Sequence, residues 1–395
     1  MLRKRLGYIL LVLIGITGLA LLLFFKFRPN PAMDSYTRGK SLMQINMDNE
    51  AGDLFLQAIQ RDPKFAPPYE ALAQLALKIN AYPLSAKYWQ KYIDHAPDAK
   101  EAYSQLAYTQ MMMGQEANAF KSADEEIKRN PASAQAHLTL GILNARKSAA
   151  KPALEHLEIA AKSYQDAPKV QLAYAKVLAL TGNLDKANEV LQLITRTEKS
   201  FAEPYYWLGY VAMRRVETPE TLKEAGKYLK TSLDLQPLFP QANLETARLY
   251  LRLKRYPEAL NFANRALQNR KHYPIGLSVK AKVLEAMGRA AEAKQAQEEF
   301  SKEAQLAART RALLRQYSAD PQNLQILLPL AETQLELEQP QAAYTFLQNA
   351  AERTPNDPRI QNILRRAEAM AKKQNQSGSR QEMQFSLGEE MEEKQ

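Results

Sequence analysis

Residues 66–99 read APPYEALAQLALKINAYPLSAKYWQKYIDHAPDA, and the spacing inside this stretch decides the architecture. Ala73 and Ser85 are small residues twelve positions apart. Twelve residues exceed three helical turns, so the two fall on successive helices joined by a short turn and mark where the backbones approach. Tyr69, Leu72 and Trp89 surround them as large apolar positions that fill the space between hairpins. Pro97 follows the second helix, where proline stops a helix but cannot continue one.

The pattern repeats along the chain. Small pairs stand at Gly39/Ala51, Ala73/Ser85, Ala107/Ala119, Gly141/Ala153, Ala175/Ala187, Gly209/Ala225, Ala247/Ala259, Ala281/Ala293 and Ala331/Ala343, mostly 34 residues from one pair to the next. The sixth pair holds four extra residues, and the step into the ninth is 50. Pro63, Pro97 and Pro131 keep the same period, and Gly182 and Gly288 fall where a hairpin turn tolerates positive φ. A fixed period in which no unit buries its own apolar face predicts a stacked array of helical hairpins. Such a fold offers surfaces rather than a reaction centre.

From about Ala32 to Asp357 the chain resembles the tetratricopeptide repeat family. Tyr69, Leu72, Ala73, Ser85, Trp89 and Pro97 follow its pattern in the second unit, and His137, Leu140, Gly141, Ala153 and Leu157 follow it in the fourth. Departures occur as well. The eighth unit carries Gln297 and Phe300 where small or apolar residues are usual, and the fifth lacks the closing proline. The resemblance implies an all-α, helical-hairpin solenoid of about nine repeats. In this family the first helix of each hairpin lines a concave groove that binds peptides or proteins.

Composition agrees with helix throughout. Apolar residues make up 46% of 395 and there are only 14 glycines, which leaves few sharp turns. One elongated domain, residues 32–373, is expected instead of two or three compact ones, because a solenoid grows by addition. Between Gly288 and Pro321 there is neither glycine nor proline, so a helix near 290–317 runs several turns past its hairpin. Residues 357–373 read as a capping helix with Ile360, Ile363, Leu364 and Ala367 on its apolar face. From Gln374 the composition turns polar and acidic, a tail expected to be disordered, in which Met383, Phe385 and Leu387 alternate beside glutamates.

Ahead of the array, Leu6 to Phe25 is a run of twenty residues without a charge, long enough as a helix to cross a bilayer. Residues 1–31 therefore read as an amino-terminal membrane anchor, with a cleaved secretory signal as the rival reading. Basic residues flank both ends, Arg3, Lys4 and Arg5 before and Lys26, Arg28, Arg38 and Lys40 after, so the charge rule leaves orientation open. Resemblance to signal anchors of bacterial inner-membrane proteins implies a single-pass protein with the array on the exported, periplasmic side. Zero cysteine removes a disulfide framework, a thiolate nucleophile, a cysteine metal site and a lipoprotein anchor together.

Charge falls unevenly. Of the net +10, residues 1–31 carry +5 and residues 376–395 carry −3, which leaves +8 on the array. In the resembled family the ninth position of each unit points into the groove. Here it reads Lys40, Gln74, Tyr108, Ile142, Lys176, Tyr210, Arg248, Lys282 and Glu332. With Met111, Met112, Arg146, Tyr206, Met213, Arg214 and Arg252 beside them, these residues predict a basic, aromatic middle suited to an extended acidic or aromatic segment. Nucleic acid is disfavoured because acids such as Glu203 and Glu285 are interspersed and no nucleic-acid motif accompanies the basic residues.

Enzyme chemistry has no foothold in the pattern. His95, His137, His156 and His272 are scattered, and no glycine-rich phosphate loop, nucleophile elbow or kinase signature occurs. No cofactor or metal is implied. The expected function is a membrane-tethered protein–protein interaction scaffold in envelope assembly, secretion or polysaccharide export. The alternative is a cytoplasm-facing chaperone or import-type receptor for client tails.

Overall fold

The computed structural model describes residues 31–376 apart from Asn269 and Lys271. Among these residues there are nineteen α-helices and no strand, arranged as nine hairpins and a closing helix. The first four hairpins are α1 (Pro31–Gln44) with α2 (Asp48–Arg61), α3 (Pro67–Lys78) with α4 (Tyr82–His95), α5 (Ala102–Met112) with α6 (Glu116–Arg129), and α7 (Ala134–Arg146) with α8 (Ala150–Ser163). Next come α9 (Pro168–Leu180) with α10 (Leu184–Thr197), α11 (Ala202–Arg214) with α12 (Pro219–Leu235), and α13 (Pro240–Arg252) with α14 (Tyr256–Gln268). The last two hairpins are α15 (Pro274–Ala286) with α16 (Ala290–Ala319) and α17 (Leu324–Glu336) with α18 (Pro340–Arg353), and α19 (Pro358–Gln376) closes the array.

Eight of the nine hairpins turn in the same way. Asn46, Asn80, Gly114, Ser148, Gly182, Lys254, Gly288 and Glu338 hold φ between 55° and 82°, each at the same register of its repeat. The N–H of the following residue reaches back to close the first helix, as in Met47 to the Leu42 carbonyl and Asn183 to the Leu178 carbonyl, at 3.0 and 2.9 Å. This is the Schellman geometry, which satisfies carbonyls that the helix end leaves orphaned. The sixth hairpin breaks the rule because of its four-residue insertion. Arg215 is extended there, and Thr218 caps α12 through a reciprocal pair of hydrogen bonds with Thr221.

The small pairs sit where the helices of a hairpin touch. A Cβ added at Gly141 would lie 2.6 Å from Leu157 Cγ, which explains why glycine stands under that leucine. Ser85 donates its hydroxyl to the Ala73 carbonyl at 2.9 Å, so the second hairpin joins its two small positions directly. The alanines and the serine of these pairs have no exposed surface, except Ala281 and Ala293, which keep 6% and 9%. In that eighth hairpin Gln297 occupies the position where Leu157, Leu191 or Leu347 seals the others, and it lies exposed.

A polar side chain secures several junctions between hairpins. Tyr69, His137, Asn243 and Gln361 each donate to the carbonyl of the proline six residues earlier, at 2.8–3.1 Å. His137 is thereby a structural residue.

First helices of successive hairpins come together, α5 with α7, α9 with α11, α11 with α13 and α13 with α15. Second helices of neighbouring hairpins do not pack in this way among the described residues. The stack therefore curves with its first helices inside. Because they are sandwiched, the central first helices are buried nearly all round: Leu172 to Leu180 in α9 are all buried, whereas α10 buries only Ala187, Leu191 and Ile194.

Helix α16 is 30 residues long, about 45 Å. It reaches α6, five hairpins upstream, with Cα atoms within 8 Å. Helix α19 packs on α17 and α18 through Ile360, Ile363 and Ala367. It continues to Gln376, so residues 374–376, expected in the tail, are helical, and Gln374 donates to the Glu338 carbonyl at 2.7 Å. No helix among the described residues is long and apolar enough to cross a membrane. The expected span Leu6–Phe25 and the segment 377–395 lie outside the described residues.

Candidate protein-binding groove

The inner face is built by first helices, and its centre is an aromatic ladder on α11. Tyr206, Trp207 and Tyr210 pack edge-on or tilted with one another and with Phe239, ring centroids 4.9–6.3 Å apart. Arg214, one turn further along α11, lays its guanidinium 3.2 Å from the centre of the Tyr210 ring. The same guanidinium donates to Glu245 of α13 at 2.9 Å, and Arg248 donates to the second oxygen of that carboxylate at 2.8 Å. One fully desolvated acid thus holds two guanidiniums in place.

Only 2% of the Glu245 side chain is exposed, and burial by itself pushes its pKa up. Arg248 and Arg214 outweigh that effect and hold it below the ordinary carboxylate value. Lys176 of α9 donates to Glu203 of α11 at 2.7 Å, and the Trp207 indole N–H donates to the same oxygen at 3.4 Å. Arg252 donates to the Met213 carbonyl at 2.7 Å and lies 3.5 Å from Glu217. Arg146 faces Glu116 at 3.5 Å.

Two expectations are corrected by these positions. Met111, Tyr206, Tyr210 and Met213, expected as contact residues, are buried, each at most 5% exposed. The cause is the sandwiching of first helices, which spends their inward surface on neighbouring helices. The basic middle is corrected as well, since Lys176, Arg146, Arg214, Arg248 and Arg252 all have carboxylate partners. Of the expected residues, Met112 and Lys282 are exposed and Tyr108 is half-buried. They flank the ladder from α5 and α15.

Glu245, Glu217 and Glu116 were not singled out by sequence reasoning. Their signal is an opposite charge close to one repeat away, as in Arg214 and Glu245, 31 residues apart, or Lys176 and Glu203, 27 apart. The assembled centre offers fixed guanidinium edges and a rigid aromatic floor with little net charge.

Residues 222–274 and 303–367 each match the tetratricopeptide repeat family. These two segments carry tetratricopeptide repeats. The first matched segment spans most of α12 through α14, and the second runs from the far half of α16 into α19. Among solved structures, the array is similar to YrrB, a tetratricopeptide protein with an unusual peptide-binding site, at 20% identity and TM-score 0.41, over 48% of this chain and 95% of that one. It is similar to pilF of Pseudomonas aeruginosa at 19% identity and TM-score 0.40, over 60% and 96% of the two chains. A tetratricopeptide repeat protein of Parabacteroides merdae matches at 16% identity and TM-score 0.43, over 68% and 98%. No curated protein matches the sequence.

Proposed function

We propose that the protein is a scaffold that holds an extended segment of a partner protein along its inner face. The segment Leu6–Phe25 tethers it to a bacterial inner membrane with the array exported, where it serves envelope assembly, secretion or polysaccharide export. The observation that carries this reading is the ladder from Lys176 to Arg252, a row of first-helix side chains whose polar groups are locked by ion pairs and hydrogen bonds before any partner arrives. Preorganised groups lower the entropic cost of binding. Because each cation of the ladder has a carboxylate partner, recognition rests on the accessible Tyr108 and Met112 and on hydrogen bonding, and binding is expected to depend weakly on salt.

Two experiments test the proposal. A reporter fused after Gln395 should be active in the exported compartment, and activity only in the cytoplasm would reject the export. Combining Tyr108→Ala, Met112→Ala and Lys282→Glu should reduce recovery of the co-purified partner about tenfold, equivalent to about 1.4 kcal/mol, without changing helix content. Undiminished recovery would remove the groove from consideration.

A further inference from the structure

We propose that the chain's own carboxyl-terminal segment docks in a pocket beside the last hairpin, with residues 383–390 as the occupant. The pocket, about 410 Å³, lies among α16, α17 and α19. Its apolar wall is Leu328, Pro329 and Ile363, and its polar lining is Arg309, Arg359, Asn362 and Glu332, the last already paired with Arg366 at 2.8 Å. This site is separate from the aromatic ladder and does not depend on what the ladder binds.

Charge selects the occupant. Residues 304–319 of α16 carry Arg309, Arg311 and Arg315 and no acid. Along α19 there are five basic residues, Arg359, Arg365, Arg366, Lys372 and Lys373, against Glu368 alone. Residues 377–395 hold five glutamates against Arg380 and Lys394, a net −3 that begins where this basic helix ends. Arg359 gives its Nε and Nη2 to Asp357 at 3.1 and 2.7 Å, and its Nη1 makes no hydrogen bond among the described residues. Among the described residues Arg309 has a single, distant acid, Glu336 at 3.7 Å. Both guanidiniums retain capacity for a carboxylate.

Reach and side-chain pattern agree with the charge. From Ile363 to Gln376 the helix runs about 20 Å. Nine residues from Gln376 to Phe385 span up to about 30 Å when extended, enough to turn back along α19 and reach the pocket. Met383, Phe385 and Leu387 alternate, so in an extended segment they share one face. Phe385 and Leu387 meet the wall of Leu328, Pro329 and Ile363, while Glu389 and Glu390 meet Arg309 and Arg359. The docked segment covers the inner side of the last hairpin and competes with any partner that extends there.

The test uses the full chain in detergent and a fluorescent peptide of residues 377–395, read by anisotropy. A chain bearing Phe385→Ala, Glu389→Lys and Glu390→Lys vacates the pocket and should bind the peptide at least about tenfold more tightly than the unaltered chain, because a tethered segment acts at millimolar effective concentration. Adding Arg309→Glu to that chain should abolish peptide binding with circular dichroism unchanged. Equal affinity for the altered and unaltered chains, absence of binding to the altered chain, or binding indifferent to Arg309→Glu would each overturn the proposal.

Discussion

At Lys254 an exposed lysine holds φ +58°, a conformation that costs a side chain about 1–2 kcal/mol and glycine almost nothing. Lys254→Gly is therefore expected to stabilise the array by about 0.5–1 kcal/mol, measured by urea unfolding, after the backbone entropy of glycine is deducted. The opposite sign is expected at Gly141, whose new Cβ would collide with the fully buried Leu157. Gly141→Ala should destabilise by about 1–3 kcal/mol with a lowered melting temperature. Gly182 and Gly288 announce the turn register, but Asn46, Ser148, Lys254 and Glu338 occupy it unannounced, because the closing backbone hydrogen bonds impose the conformation on whatever residue stands there. His137 is legible in the sequence as a packing position of its repeat and His156 as an isolated histidine, and their pairing is a product of the fold. His137 Nε2–H donates to the Pro131 carbonyl, which leaves Nδ1 to accept from His156 Nδ1–H at 2.8 Å. Burial first, and His137 second, lower the pKa of His156, with Glu155 opposing. Since the folded value lies below the unfolded one, the stability this group contributes is present above pH ~6.5 and is lost as pH falls below it. His156→Asn should flatten the decline in melting temperature between pH 7.5 and 5.5, and an unchanged slope would remove the pair from the account.

The junction of α11 and α13 concentrates the electrostatics of the array. Glu245 holds Arg214 and Arg248, so Glu245→Gln leaves two guanidiniums against an aromatic floor without a counter-charge. Removing one partner of a buried pair costs about 3 kcal/mol, and half-exposed arginines bring this site to the lower side of that value. The loss should be seen in urea at pH 7 and should shrink in acid. The pKa of Glu245 is depressed, so the wild-type advantage is present above the ordinary carboxylate value and disappears as pH falls through the folded one. This junction also shows what periodicity leaves out. Register placed Tyr210 and Arg248 on one face of their helices, because a 34-residue repeat specifies which positions correspond. It could not say that Tyr210 would be covered by its neighbours, nor that Arg248 would be spent on an acid three residues earlier in its own helix. Helix number, hairpin pairing and the long α16 follow from local spacing and the absence of glycine and proline. Groove chemistry depends on pairs made between repeats, and spacing within one repeat carries no record of them.

A solenoid is held by nearest neighbours, and its stability is close to a sum over adjacent repeats. The approach of α16 to α6 is an exception, since it joins the eighth hairpin to the third and closes the curve of the stack. The eighth hairpin departs from the others in its packing, with Gln297 exposed where the fourth, fifth, sixth and ninth place a buried leucine and with Ala281 and Ala293 incompletely covered. Its second helix also extends to a remote hairpin. Breaking that extension tests whether the contact sets the shape of the molecule. Ala308 is exposed near the centre of the extension, and proline there removes a hydrogen bond and kinks the helix at a cost of about 3 kcal/mol. The last hairpin and α19 keep their own core of Leu327, Leu335, Leu347 and Ile360 and should stay folded. Small-angle scattering of Ala308→Pro should then show a larger radius of gyration than wild type, with helix content reduced by no more than a few turns, whereas Ala308→Ser should leave the scattering unchanged. If the proline variant scattered like wild type, curvature would have to come from the hairpin interfaces alone, and the reach of α16 would have no part in holding the groove closed.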